Sequence, residues 1–220
     1  MSERLPAPPA RLARLQPGDA RVIPAGSHIV RVFFAAGAHR AVWNRFRTFG
    51  PTGARFDHHD PPSSEHGPAG PAISYWAASG GLTPVRSNPL ACALAEVFSE
   101  SRTIDVWRGA PYFVIATTHR ALRLLDVSDS AWIVRSGGSA AVSSGVRADS
   151  REWARRIHAS YRLDGIWYQA SNYPLGRSLA LNERAMSALP AHPTASWSLA
   201  DPAVQHLVDA AADEIGCQVL

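Results

Sequence analysis

Lysine is absent from this 220-residue chain, so all 22 basic side chains are arginine. Beside abundant Ala, Gly and Pro, that usage reflects a GC-rich coding sequence rather than selection for a polyanion. The formal charge is only +4 and the arginines are scattered. Nucleic-acid binders usually carry a basic stripe or patch, so direct nucleic-acid binding is not expected, while a phosphate-bearing small molecule is compatible. Cysteine is nearly missing as well: Cys92 and Cys217 stand far apart, with no CxxC spacing. That excludes a disulfide framework and a cysteine-based metal site, and Cys92 in its apolar run reads as a small core residue. No apolar run approaches the ~18 residues of a membrane span, and the opening Met1 to Pro6 lacks a signal-peptide apolar region. A cytoplasmic protein without membrane contact is expected. Walker, GxGxxG and GxSxG motifs are all missing, so P-loop, Rossmann and α/β-hydrolase readings have no local support.

What is present suffices for a core. A hydrophobic fraction of 46% with 18% charged residues argues against disorder, and the length suits one domain. Pro9 to Leu15 reads as a short amphipathic helix, His28 to Phe34 as a strand, and Arg40 to Phe46 as a helical turn with Trp43 and Phe46 on one face. Phe49 to Pro71 is irregular, ordered around Arg55-Phe56 and a poorly ordered flap from His58 to Gly70. Ala72 to Ala77 is a strand. Asn88 and Pro89 start a helix to about Ser101 with an apolar stripe of Leu90, Leu94, Val97 and Phe98. Pro111 to Ala116, Leu122 to Asp126 and Ala131 to Val134 read as strands, and Ser136 to Gly145 as a loop. Asp149 or Ser150 caps a helix from Arg151 to about Tyr161. Strands follow at Asp164 to Gln169 and Ser178 to Leu181, then a linker from Ala191 to Leu199 and a final helix from Asp201-Pro202. Many short strands with separated helices argue for an α+β fold rather than a regular βαβ series.

Within this pattern, Arg31, Arg55, Tyr75 and Glu96 are embedded in apolar strand or helix segments. Arg forks match phosphate oxygens, a Tyr face holds a cationic ring, and a carboxylate steadies positive charge as a glycosidic bond breaks. On the residues alone, each has a plain alternative. Arg31 could be a solvent-facing strand arginine, Tyr75 a cross-strand aromatic and Glu96 a solvated helix carboxylate. Glu100, at i+4 from Glu96, reads as a surface charge.

The ordered series Arg31, Arg55-Phe56, Ser74-Tyr75-Trp76, Glu96 and Ser171 resembles the RES-domain family, named for its Arg, Glu and Ser, over roughly residues 28 to 185. The resemblance implies an ADP-ribosyltransferase-like fold with a twisted, split β-sheet, flanked by an N-terminal extension (1–27) and a C-terminal linker and helix (186–220). It implies that NAD is the substrate, consumed by cleavage of the nicotinamide–ribose bond with phosphate or water as acceptor. Arg31, Tyr75 and Glu96 would then be catalytic, with Arg31, Arg55, Tyr75, Ser171 and Asn172 binding NAD, and no separate cofactor. It also implies the toxin of a toxin–antitoxin pair with a helical Xre-type antitoxin partner. A degenerate regulatory RES protein and an ADP-ribosyltransferase acting on a macromolecule are the alternatives. Two departures stand out. Ala54 takes the place immediately before Arg55, and the Tyr75-to-Glu96 spacing is long, so that Gly80 to Ser87 reads as an insertion bordering the pocket.

Ser171 and Asn172 also suit turn chemistry in Ser-Asn-Tyr-Pro, and Arg177 nearby is a further phosphate candidate without motif support. Asp57-His58-His59-Asp60 with Glu65 and His66 invites a metal reading. A Gly/Pro-rich loop lacks the scaffold that fixes ligand geometry, so no metal is expected.

Overall fold

A computed structural model of the chain describes residues 5–38, 40–78, 82 and 87–220, and most of the insertion expected at Gly80 to Ser87 lies outside them. The strands are Ala20–Ile23 (β1), His28–Phe34 (β2), Phe49–Gly50 (β3), Ser64–Glu65 (β4), Ile73–Ala78 (β5), Thr103–Ile104 (β6), Pro111–Thr117 (β7), Leu122–Asp126 (β8), Gly165–Gln169 (β9), Arg177–Asn182 (β10), Ala195–Ser198 (β11) and Gln218–Val219 (β12). The helices are Pro89–Phe98 (α1), Trp132–Arg135 (α2), Ala141–Ser144 (α3), Arg147–Ser160 (α4) and Gln205–Ile215 (α5). Eight strands form one sheet in the order β1-β8-β9-β10-β5-β2-β7-β11, parallel between β8 and β9 and antiparallel elsewhere. The fold is mixed α and β, with helices lying against a large sheet. No helix among the described residues is long and apolar enough to cross a membrane.

Strand alternation builds two faces. On one face, α1 and α5 pack over β2 and β7 around Val30, Val32, Leu94, Phe98, Phe113 and Val208. On the same face, α2 to α4 pack over β8 and β9 around Leu125, Trp132, Trp153, Ile157 and Ile166. The opposite face buries Ile29, Trp76, Val114, Leu124, Trp167 and Leu179 beneath Phe46 and the 3₁₀ turn Glu183–Ala188. Between the two helical groups the register sets a buried row across four strands. Tyr168 pairs with Ser178, Ser178 with Ala77, and Ala77 with Val30.

The ladder is interrupted at the same place. β2 and β5 pair only at Ile29↔Ala78 and Val30↔Ala77. Beyond Val30, β2 stays with β7 while β5 stays with β10, and Ile73 bridges to Arg47 instead. A fork therefore opens in the sheet from Arg31 onward.

Several local expectations are overturned. Pro9 to Leu15 is not helical. Leu5 and Leu12 plug the α2–α4 core, and the segment is tied by Trp153 Nε1 donating to the Pro6 carbonyl at 2.8 Å. Ala131 to Val134 forms a helical turn, not a strand. Ser130 Oγ accepts from the Trp132 amide, and Trp132 packs edge-on to Trp153 and Tyr161. The Ser136 to Gly145 loop contains α3, and α4 starts at Arg147 after Val146 rather than at an Asp149 or Ser150 cap. The segments outside 28–185 are integral parts of the fold. β1 pairs with β8, β11 emerges from the expected linker to pair with β7, and α5 packs on α1.

The α1 start agrees with the sequence reading. Asn88 Oδ1 accepts from the amides of Leu90 (3.0 Å) and Ala91 (3.3 Å), with Pro89 opening the helix. Asn88→Ala should cost about 1 kcal/mol, which lowers the thermal midpoint of a chain this size by about 2–4 °C. Asn88→Ser should recover most of the loss in a circular-dichroism melt. An unchanged midpoint for Asn88→Ala would show that the cap contributes nothing.

Candidate active site

Four of the expected site residues line one cavity of about 240 Å³: Arg31 from β2, Arg55 from the loop after β3, Tyr75 from β5 and Glu96 from α1. Its floor is the register row Tyr168, Ser178, Ala77 and Val30, and Ala93 and Val97 of α1 contribute to one wall. Val97 thus faces the cavity, not the core stripe expected of it. The fork explains how Arg31, which alternates with Val30 and Val32, reaches the same space as Tyr75. At Arg31 and Tyr75 this cavity meets a wider groove of about 1030 Å³, along which Arg40, Arg45 and Arg47 are spaced.

Glu96 is largely buried, and its Oε1 has no hydrogen-bond partner among the described residues. Burial raises its pKa above the ordinary glutamate value, opposed by the charge of Arg55, by the amides of Asn172 and Ser171, and by Arg147. Ser171 and Asn172 therefore meet Glu96 through the backbone. Both residues line a different cavity of about 270 Å³ with Arg102 and Cys217 and are not among the residues lining the Glu96 cavity. Their place after β9 brings two N–H groups to a carboxylate that would otherwise be harder to ionise.

Arg31 is partly buried, and its Nη1 donates to the Trp43 carbonyl (2.8 Å), Ser74 Oγ (2.9 Å) and the Arg45 carbonyl (3.3 Å). The guanidinium also lies 5.9 Å from the Trp76 ring centroid. Burial, and then the charge of Arg47, lower its pKa to about 10, so it remains cationic at neutral pH. Arg31 is neither a free fork nor a solvent-facing arginine. One terminal nitrogen fastens the Trp43–Arg45 segment across the fork, and only the rest of the group can meet a ligand.

Arg55 is anchored in the same way, with Nη1 donating to the Gly145 carbonyl and to Ser150 Oγ, each at 2.9 Å. Burial lowers its pKa, while Tyr168 and Glu96 act in the other direction. The next residue, Phe56, holds a left-handed φ of 60° with its ring buried 4.6 Å from the Tyr168 ring. An aromatic residue in this region is strained by about 1–2 kcal/mol and persists only where its surroundings fix it. The Tyr75 hydroxyl is buried without a well-formed hydrogen bond, and burial raises its pKa.

Tyr168, Ser178 and Arg47 were not singled out by sequence reasoning. Nothing local distinguishes Tyr168 and Ser178 from other strand residues, because only the register between β9, β10 and β5 places them on the floor. Arg47 reaches the groove while its Nη2 pairs with Asp57 at 2.8 Å. Cys92 lies 3.6 Å from Ser178 Oγ, but burial pushes its thiol up to about 12, which leaves it protonated and unreactive. Arg177, the further phosphate candidate, pairs in bidentate fashion with Asp129 at 3.0 and 2.8 Å and does not line the Glu96 cavity. Glu100 makes a surface ion pair with Arg147.

The flap expected from His58 to Gly70 is also corrected at its start. Asp57, His58 and His59 are buried, and Asp57 accepts from His59 Nδ1 and from the Thr52 amide, each at 2.6 Å. No family model, curated protein or solved structure matches this chain.

Proposed function

We propose that this chain cleaves the nicotinamide–ribose bond of NAD and passes the ADP-ribosyl group to inorganic phosphate or to water. One observation carries the reading. Glu96, Tyr75, Arg31 and Arg55 converge on one cavity, in which Glu96 Oε1 and the Tyr75 hydroxyl are buried without a well-formed hydrogen bond among the described residues. Orphaned polar atoms cost stability, and a ligand in the cavity can compensate for them. A flat cationic nicotinamide suits the Tyr75 face and the apolar surface of Val30, Val32, Ala77 and Val97. The wider groove then takes the pyrophosphate against Arg31, Arg45 and Arg47, since the two spaces meet at Arg31 and Tyr75.

Bond cleavage releases nicotinamide as a neutral ring, so no general acid is needed. The ribose becomes oxocarbenium-like, and the ionised Glu96 carboxylate supplies negative charge in a water-poor space where it acts strongly. Hydrogen bonds at the ribose hydroxyls strengthen in such a transition state, as in glycoside hydrolysis. A helical antitoxin partner belongs to this reading through the RES resemblance alone.

Glu96→Gln removes the charge and keeps the shape. NAD consumption, followed by mass identification of products with and without phosphate, should fall about 10²–10³-fold. The thermal midpoint should not drop, because a neutral amide relieves a buried carboxylate. Parent-rate turnover in this variant would remove Glu96 from the reaction.

Arg55→Lys keeps the charge but cannot both hold Gly145 and Ser150 and present a planar fork. NAD binding should weaken about 10- to 100-fold, the equivalent of one charge-assisted hydrogen bond at about 1.5–3 kcal/mol. Unaltered affinity would make Arg55 purely structural.

The pH dependence has a defined sign. In the free protein burial holds Glu96 above the ordinary glutamate range, so activity is lost as pH falls through that raised value. Bound NAD places a cationic ring nearby, which favours ionisation and moves the value down. The acid limb of kcat/KM, which reports the free protein, should lie at higher pH than that of kcat, which reports the complex. The reverse order of the two limbs would contradict this assignment.

A further inference from the structure

A second group of chemistry-bearing side chains lies beyond Phe56, away from the Glu96 cavity. His158 of α4 stacks on His58 with ring centroids 4.2 Å apart, His58 on His59 at 5.4 Å, and His59 meets His66 at 5.0 Å. Glu183, first residue of the 3₁₀ turn after β10, faces the outer pair. Its Oε1 lies 2.8 Å from His158 Nε2, and its Oε2 lies 3.4 Å from His58 Nε2. We propose that His58, His158 and Glu183 bind one divalent transition-metal ion of the zinc type, and that this ion clamps the loop carrying Arg55.

The three donor atoms lie within 4.8 Å of one another. Tetrahedral zinc with bonds of about 2.0–2.1 Å sets its donors about 3.3 Å apart. His158 lies 2.8 Å from one Glu183 oxygen and His58 3.4 Å from the other, so side-chain adjustment has to open the first contact and bring one oxygen to both rings. Two imidazoles and one carboxylate favour zinc and its neighbours over magnesium or calcium, which prefer all-oxygen sets.

A purely protonic network satisfies the cluster poorly. His158 and Glu183 Oε1 make one good hydrogen bond, whereas the buried His58 Nε2 and Glu183 Oε2 have, among the described residues, only each other at 3.4 Å and no well-formed hydrogen bond. A cation between them would engage both atoms. Beside His58 and His158 a cavity of about 20 Å³ offers room for one water as a fourth ligand.

The three donors come from separated parts of the chain: the loop after Phe56, the last turn of α4, and the turn after β10. An ion joining them would pin residues 56–59 to both elements. Arg55 immediately precedes that stretch, and none of the three ligands lines the Glu96 cavity. The ion would thus hold the loop without touching substrate, and this inference does not depend on the identity of the reaction.

The test uses the full chain, stripped with a chelator and titrated with Zn²⁺ alone in calorimetry and with Co²⁺ in visible spectroscopy. One saturable equivalent is expected, with cobalt d–d bands of a tetrahedral or five-coordinate site. At a hundredfold excess over Kd the thermal midpoint should rise about 5–10 °C. Hydrogen exchange at amides 55–59 should slow when the ion binds. His158→Gln and Glu183→Gln should each lose the equivalent, whereas His66→Ala should keep it. Absence of a saturable equivalent in the parent chain, or one that persists in both ligand variants, overturns the site. Binding without slower exchange at 55–59 overturns the clamp. Because the cobalt spectrum is taken on the parent chain, a variant that fails to fold does not protect the proposal.

Discussion

The separation of β2 from β5 after two paired residues is the constraint on which the rest of the structure depends. In a continuous sheet, Arg31 would lie on the opposite face from Tyr75, Ala77 and Val30. Opening the ladder puts both faces in contact with one space, so an arginine, two aromatics and a helix carboxylate can address a single ligand. An open ladder exposes backbone groups that must find other partners. The Trp43–Arg47 segment supplies them: Arg47 bridges Ile73, and the Arg31 guanidinium ties down the carbonyls of Trp43 and Arg45. Arg31 is therefore both a structural clamp of the fork and the cation where cavity and groove meet.

Electrostatics in the cavity are set by a balance rather than by one contact. Burial disfavours Glu96 ionisation, while Arg55, Arg147 and the amides of Ser171 and Asn172 favour it. Arg55 does not form a close ion pair with Glu96, because its Nη1 is held by Gly145 and Ser150. Held apart, the two charges still favour each other at a distance, and Glu96 Oε1 stays without a hydrogen-bond partner among the described residues.

Local features were legible in the sequence, and long-range ones were not. Asn88-Pro89 announces its helix because capping depends on neighbouring residues alone. Arg31, Arg55, Tyr75 and Glu96 stand out because polar groups embedded in apolar patterns are individually conspicuous, and their order carries the family resemblance. Tyr168 and Ser178 were invisible, since their place on the floor depends on pairing among three strands. Ser171 and Asn172 stand out in the sequence, but in the fold it is their backbone N–H groups that face Glu96, while both residues line another cavity. The run Ala131 to Val134 has strand composition, yet packing of Trp132 between Trp153 and Tyr161 turns it into a helix. The surroundings of the histidines were hidden for the same reason. Within the loop they have no scaffold, whereas in the fold His58 meets His158 of α4 and Glu183, both a hundred or more positions away in sequence.

Phe56 joins the two halves of this arrangement. Its left-handed backbone turns the chain so that Arg55 faces the Glu96 cavity while Asp57, His58 and His59 enter the interior on the other side. Strain there must be offset by its surroundings, and two anchors do so. The Phe56 ring is buried against Tyr168, and Asp57 gathers His59, Thr52 and Arg47. Burial alone would raise the Asp57 pKa, but the hydrogen bonds of His59 and the Thr52 amide, with Arg47, hold it well below the usual carboxylate range. That stabilisation is present above the unfolded aspartate value and is lost as pH falls toward the depressed one. Arg47 takes part in this anchor and also lines the groove. The geometry of the cavity is thus tied to a buried ionic network that contributes no atom to its floor, and loosening that network would be felt first at Arg55.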